Sequence, residues 1–248
     1  MGLIYPHWSA PSNVRAVTST RIGGVSVAPY HSLNVGDHVG DDSAHVSQNR
    51  QLLLEYMHRS MGLNDTIELT PQWLRQEHTC NVVVDSTVDQ HFMAYDGQFT
   101  QKKQVMCAIM TADCMPVFIS NEAGTSVALV HAGWRGLADG IVEKTLALFS
   151  DTADQLLVHC GPAISQTHFE IGDEVREKIG GAERFYRRHP EKSDHCYADL
   201  VGLLGERVNT FGAKYTHSNH CTFADVDRFF SYRRDGVTGR MVSFLWME

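Results

Sequence analysis

The chain has 248 residues, 43% of them hydrophobic and 20% charged, with a formal net charge of −8. That length allows one large domain or two small ones around a sizeable core, and the composition is that of an ordinary soluble globule. The acidic balance argues against nucleic acid as a partner, because the densest basic stretches, Arg184-Phe-Tyr-Arg-Arg-His189 and Tyr232-Arg-Arg234, are too short to make a basic face.

The N-terminal Met1-Gly-Leu-Ile-Tyr-Pro-His-Trp8 has neither a charged leader nor a long apolar core, so it does not read as a signal peptide. Pro6 occupies the position where a myristoylation pattern wants Ser or Thr, and no apolar run reaches membrane-spanning length. The six cysteines, at 80, 107, 114, 160, 196 and 221, form no C-x-x-C pair. Reduced thiols in a cytoplasm, away from membranes, are the expectation.

Taken in order, Val14-Arg-Ala-Val-Thr-Ser-Thr20 alternates and is β-branched, which predicts a strand. Asp41-Asp-Ser43 offers N-cap chemistry for a helix over 44–59, with Val46, Leu53 and Met57 toward one face and Arg50 on the same helix. Gly62 to Asn64 ends it. Two strand pieces are expected within 68–84, around His78, and a polar loop over 89–104 with a turn at Asp96-Gly97. Three apolar runs follow: Val105-Met-Cys-Ala-Ile-Met110, Pro116-Val-Phe-Ile119 and Ser126-Val-Ala-Leu-Val130, each bounded by turn signals as buried strands are. A glycine loop, Gly133 to Gly136, leads into a helix predicted over 137–149; strand, glycine loop and helix is an arrangement that can receive an anion. Gln155-Leu-Leu-Val-His159 is a further strand, 172–179 a short helix and 197–211 a helix with Leu200, Leu204, Val208 and Phe211 on one stripe. Residues 180–196 carry no readable pattern. Gly239 to Trp246 is a closing strand. Helices and strands mix without strict alternation, which predicts an α+β or layered α/β/α sandwich rather than a barrel.

Cys114 and His131 stand at the edges of central strands, where sites on sheets are built, and His78 lies upstream in Gln76-Glu-His-Thr79. Two imidazoles and a thiolate suit Zn²⁺, and three protein ligands leave a catalytic position open. The spacings, 114 − 78 = 36 and 131 − 114 = 17 residues, are not those of a zinc finger, so strands must bring the three together. A second reading makes Cys114 a nucleophile with His131 or His78 as its base, and Asp113 either an orienting carboxylate or a turn cap. A third is a structural zinc without turnover, for which three ligands are too few. Taken singly, a histidine is ordinarily a satisfied or exposed side chain and a buried cysteine a small hydrophobe.

The motifs add to this. Ser19-Thr-Arg-Ile-Gly-Gly-Val-Ser26, Ser32-Leu-Asn-Val-Gly36, Asn49-Arg50, Thr111-Ala-Asp-Cys-Met-Pro-Val117, His131-Ala-Gly-Trp-Arg-Gly136, Gly161-Pro-Ala-Ile164 and Ser231-Tyr-Arg-Arg-Asp-Gly236 together give a chain that resembles the YfiH-like family along nearly its whole length. Members have been called multicopper polyphenol oxidoreductases (laccases), purine nucleoside phosphorylases and, in bacterial relatives, peptidoglycan editing factors. The resemblance implies an α/β (α+β) fold, a layered α-β sandwich with a mixed sheet in one domain over 1–248, and one zinc held by the positions matching His78, Cys114 and His131. Two departures stand near that site: Gln-Glu-His-Thr at 76–79 where the family has Gln-Val-His-Gly, so the turn must form without glycine, and Tyr95-Asp96-Gly97 where it has Ala-Asp-Ala.

The activity so implied is zinc-dependent phosphorolysis of purine nucleosides (adenosine, inosine, methylthioadenosine) with adenosine deamination beside it. The alternatives are removal of a misincorporated L-serine from a cell-wall precursor and copper-dependent phenol oxidation. One His₂Cys site does not gather the electrons that oxygen reduction needs, which puts the laccase reading, and Cu²⁺ as the metal, last. Arg50 and Arg135 are the candidates for holding phosphate, since guanidinium presents a planar donor fork, with Arg233 and Arg234 behind them. The plainer expectation is that Arg50 makes a surface ion pair and Arg135 packs on Trp134.

Overall fold

The computed structural model describes residues 1–62, 70–85 and 93–248. In chain order the strands are β1 Leu3–Ile4, β2 Val14–Ser19, β3 Thr70–Gln72, β4 Val82–Val84, β5 Gly97–Thr100, β6 Val105–Thr111, β7 Met115–Asn121, β8 Val127–Ala132, β9 Leu156–Cys160, β10 Glu170–Gly172, β11 Tyr186–Arg188, β12 His195–Ala198, β13 Lys214–His217 and β14 Met241–Met247. The helices are α1 Ser43–Met61, α2 Trp134–Ala138, α3 Ile141–Leu146, α4 Asp173–Ile179, α5 Leu200–Phe211 and α6 Tyr232–Asp235.

The strands form a five-stranded sheet in the order β1-β2-β14-β6-β3, a six-stranded sheet in the order β13-β9-β7-β8-β5-β4 and a small sheet β10-β12-β11. Both large sheets are mixed: β3 runs parallel to β6, and β4–β5 and β9–β13 are parallel pairs among antiparallel ones. Period-2 alternation tells how they stack. Met106, Ala108 and Met110 of β6, with Val242, Phe244 and Trp246 of β14, point to Leu53 and Met57 of α1. Cys107, Ile109 and Leu245, on the opposite face, meet Phe118, Val127 and Leu129 of the six-stranded sheet. The far face of that sheet, including Val117, Ile119, Ala128 and Val130, packs on α2, α3 and α5. The layered sandwich expected from the sequence is therefore α/β/β/α, with two sheets between the helices rather than one.

α1 forms as its sequence requires. Asp42 caps it by accepting from the Ala44 amide at 2.7 Å, Gly62 closes it in the left-handed region, and Val46, Leu53 and Met57 are buried. The helix expected over 137–149 is two short ones, because Gly140 stands at φ 77 between them. The loop expected over 89–104 lies partly outside the described residues, and Gly97–Thr100 within it is a buried strand, β5. Its sequence, Gly-Gln-Phe-Thr, hides the strand: Gln98 is buried by donating to the carbonyls of Gln72 and Ala108. The unread stretch 180–196 holds β11 and the start of β12. Among the described residues, no helix is long and apolar enough to cross a membrane.

Candidate metal centre

Two connections cross from one sheet to the other at the same end of the sandwich. The chain passes from β6 to β7 through Ala112-Asp113-Cys114, with Asp113 at φ 95, and from β3 toward β4 through the loop that carries His78. Pairing of β7 with β8 sets Met115 opposite Ala132 and Pro116 opposite His131, which brings Cys114 beside the end of β8. The result is a convergence of one donor atom each from His78, Cys114 and His131, all within 4.8 Å of one another. Among the described residues it is the sole such group of three or more His, Cys, Asp or Glu donors. Cys114 Sγ lies 3.8 Å from His78 Nε2, close to the edge of a tetrahedron built on Zn–S and Zn–N bonds of about 2.3 and 2.0–2.1 Å. The donor set therefore fits one borderline-soft ion, with no fourth protein ligand among the described residues.

Gly133 makes the approach possible. A Cβ there would stand 3.0 Å from both Cys114 Sγ and His78 Cδ2. Its φ of −72 is open to any residue, so the glycine is required for space and not for conformation.

The carboxylate that organises the site is Asp96, which is fully buried. One oxygen accepts from His131 Nδ1 at 2.7 Å and from the His78 amide at 3.1 Å. The other accepts from the amides of Glu77 and Thr79 at 3.2 and 2.6 Å and from the Thr79 hydroxyl at 2.9 Å. Three consecutive amides thus wrap one anion, with His78 itself at φ 59. The positive φ falls on His78 and not on Thr79, the position of the family's glycine, so the turn does not call for glycine there. Gln76 pins the other end of the loop by exchanging two hydrogen bonds with the backbone of Met110, at 2.9 and 2.8 Å. In the sequence, Asp96-Gly97 reads as a turn. The role of Asp96 depends on a strand end three elements further on, brought beside it by the β5–β8 register, Gly97 opposite Val130.

Electrostatics follow from this geometry. Burial pushes the Cys114 thiol up, but the charge of His131 and hydrogen bonds from His131 and His78 outweigh it and leave the thiol depressed. Burial likewise opposes charge on His131, while Cys114 and Asp96 together hold the imidazolium above its ordinary value. Burial would raise the Asp96 carboxyl, and its bonds from His131 and Thr79 instead hold it below the usual range. The shifts of Cys114, His131 and Asp96 thus support one another in direction. Asp113 stands outside this group of three. Its oxygens accept from Thr222 Oγ1, Ser231 Oγ and the Arg233 amide at 2.6, 3.0 and 2.7 Å, so it anchors the segment before β14 instead of orienting a base.

The three donors open on a cleft of about 430 Å³, also lined by His38, Trp134, Arg135, Phe169, Tyr232, Arg233 and Arg240. A larger cavity of about 660 Å³ beside α5 and β13 contains none of the three. Of the predicted phosphate ligands, Arg135 lines the cleft, its guanidinium 4.3 Å over the Trp134 ring. Arg50 is not brought there: Nε donates to the Val35 carbonyl at 2.9 Å, Nη2 pairs with Asp37 at 3.2 Å, and the guanidinium lies 3.9 Å over Trp73. Arg233 lines the cleft and donates from Nη1 to the Glu170 carbonyl at 2.6 Å. Arg234 is spent on the carbonyls of Thr222, Phe223 and Phe229 and on Asp235. Arg240, which sequence reading passed over, is a cleft residue whose basicity burial lowers and nearby Cys114 and Asp113 sustain.

Known proteins resemble this chain in sequence and fold. A protein called purine nucleoside phosphorylase YfiH in Shigella flexneri is 40% identical over 247 residues, covering 99% of this chain and 98% of its own. A purine nucleoside phosphorylase of Haemophilus influenzae is 39% identical over 253 residues, covering both chains completely. The crystal structure of Neisseria meningitidis protein NMB0706 superposes with a TM-score of 0.88 at 35% identity over the full length of both chains. That of YlmD from Geobacillus stearothermophilus gives 0.85 at 28% identity, over 97% of this chain and 96% of its own. Residues 15–248 match the family model described as multi-copper polyphenol oxidoreductase laccase, and the chain belongs to that family.

Proposed function

We propose that this chain, acting as one domain over residues 1–248, is a zinc-dependent purine nucleoside phosphorylase that also deaminates adenosine. The observation that carries the reading is the His78, Cys114 and His131 convergence with an open side on a cationic, aromatic-walled cleft. Relatives named purine nucleoside phosphorylase, aligned over nearly the whole chain, support it. A bound Zn²⁺ supplies Lewis acidity at its open position. The protein's own part is to hold the ligands. Asp96 fixes His131 with Nδ1 protonated, which leaves Nε2 to the metal, and Gly133 lets the other two donors close. Trp134, Phe169 and Tyr232 offer faces for a purine, and Arg135, Arg233 and Arg240 offer positive charge for an anionic co-substrate. The substrates are then a small nucleoside and phosphate.

Among the described residues one cluster of three donors occurs, which favours a single ion over the several centres of a multicopper oxidase. The test is metal analysis of protein purified without added metal, followed by assay of inosine and adenosine with and without phosphate. Stoichiometric zinc, base release that requires phosphate, and loss of both activities on chelation are expected. Copper content with phenol oxidation, or base release indifferent to phosphate, would overturn the reading.

A further inference from the structure

Phosphorolysis needs a seat for inorganic phosphate facing the metal ligands, and Arg50 is engaged by Val35, Asp37 and Trp73 instead. Arg240 is built differently from the other arginines of the cleft. It directly precedes β14, and its own backbone is held from both sides: its amide donates to Asn34 Oδ1 at 2.8 Å, and its carbonyl accepts from the Val35 amide at 3.3 Å. Asn34 is fully buried, and it also accepts from the Gly36 amide at 2.9 Å and donates to Asp41 at 2.8 Å. Gly36 clears a channel for the arginine stem, because a Cβ there would stand 2.8 Å from Arg240 Cγ and 3.2 Å from Cβ. At the far end, Nη1 donates to the carbonyls of Thr238 and Gly239, both at 3.0 Å. Among the described residues, no protein acceptor takes Nε or Nη2.

An arginine that lines the cleft, whose stem is boxed in, whose Nη1 is tied back and whose Nε and Nη2 meet no protein acceptor among the described residues is a preorganised half of a bidentate anion clamp. We infer that Arg240 seats the anionic reactant, inorganic phosphate, and that the Ser32-Leu-Asn-Val-Gly36 motif serves to hold this arginine in place. The inference rests on the phosphorylase reading. In that reaction a phosphate oxygen forms a bond to the ribose anomeric carbon as the bond from that carbon to the purine nitrogen breaks. The bonding pair leaves with the purine, which takes up a proton, and the products are ribose 1-phosphate and free base. Arg240 holds the attacking anion through Nε and Nη2, while Asp113, which also lines the cleft, is engaged by Thr222, Ser231 and the Arg233 amide.

The test uses the zinc-loaded full chain and inorganic phosphate as the probe, with binding followed by phosphorus NMR or calorimetry alongside kinetics. Arg240→Gln is expected to raise KM for phosphate on the order of tenfold or more and to leave KM for inosine within about twofold. Adenosine deamination, whose nucleophile is water, should persist. Arg240→Lys should recover part of the loss, since it restores charge but not the fork, and Gly36→Ala should reproduce part of it by displacing the stem. Unchanged phosphate KM in Arg240→Gln, or parallel loss of inosine affinity and deamination, overturns the assignment. Should Arg240→Gln not fold, the Arg240→Lys and Gly36→Ala pair decides by the same split. If the wild type binds phosphate, Arg240→Gln does not, and no phosphorolysis occurs, the phosphorylase reading fails and the anion seat stands. If the wild type binds no phosphate, the seat fails.

Discussion

Replacing Asp96 by Asn tests how the site is held. The substitution keeps the volume and removes one acceptor oxygen from a fully buried position that receives five hydrogen bonds. If the new amide nitrogen takes the place facing Glu77 and Thr79, it confronts two N–H donors and a hydroxyl. If it takes the other place, it confronts the His78 amide, and His131 must move its proton to the nitrogen that faces Cys114. Either way at least one buried N–H loses its acceptor, which costs about 1–3 kcal/mol, and the remaining bonds lose their charge assistance, so the total is about 2–5 kcal/mol. Because His131 is left in the wrong tautomer, or the loop carrying His78 loses its hold at Glu77 and Thr79, zinc affinity should fall about 10–100-fold. Urea unfolding of the metal-free protein reads the first effect, and competition with a chromophoric chelator reads the second. Stability within about 0.5 kcal/mol of wild type together with unchanged zinc affinity would refute the role given to Asp96.

Gly133→Ala, at a backbone conformation open to any residue, should leave the fold intact and weaken zinc by on the order of tenfold, since the added methyl presses on Cys114 and His78; equal affinity in the same competition assay would show that the loop yields. Arg50→Ala should cost about 1–2 kcal/mol in urea unfolding, chiefly the contact with Trp73 because Asp37 is exposed and screened, and should not move the phosphate KM; a shift in that KM would return Arg50 to the site. Cys114→Ser should lose the metal along with turnover, and loss of turnover with metal retained would make Cys114 a nucleophile instead. The Asp96 carboxyl is held below its unfolded value, so the stability it contributes is complete above the ordinary carboxylate pKa of about 3.9 and is lost as pH falls through the folded value. Acid titration of unfolding free energy should therefore be steeper in that window for wild type than for Asp96→Asn, and parallel curves would contradict the coupling.

What could be read without coordinates was local or carried by motif. The cap at Asp42, the face of Val46, Leu53 and Met57, and the closing strand β14 follow from periodicity and turn chemistry that act over a few residues. His78, Cys114 and His131 were legible because each ends an apolar run or sits in a recognisable block. What stayed hidden depends on partners far along the chain. β5 is unreadable as Gly-Gln-Phe-Thr because the carbonyls that satisfy Gln98 belong to β3 and β6. Asp96 looks like any turn acid until β8 is laid beside β5. Arg50 and Arg240 are chemically identical, and only the Val35 carbonyl, Asp37 and Trp73 around one, and Gly36 beside the other, decide which fork is free.

The crossings between sheets give the ion a mechanical role. His78 and Cys114 sit on the two passages from the five-stranded to the six-stranded sheet, and His131 ends a strand of the latter. An ion bound to all three would close chain loops of 36 and 17 residues, from 78 to 114 and from 114 to 131, and rivet the sheets together at one end. Unfolded chain has no such preassembled grip, so occupancy should favour the folded form in proportion to free zinc. Scarcity of the ion would then be felt twice by the same molecule, once as lost turnover and once as a sandwich whose open end is free to part.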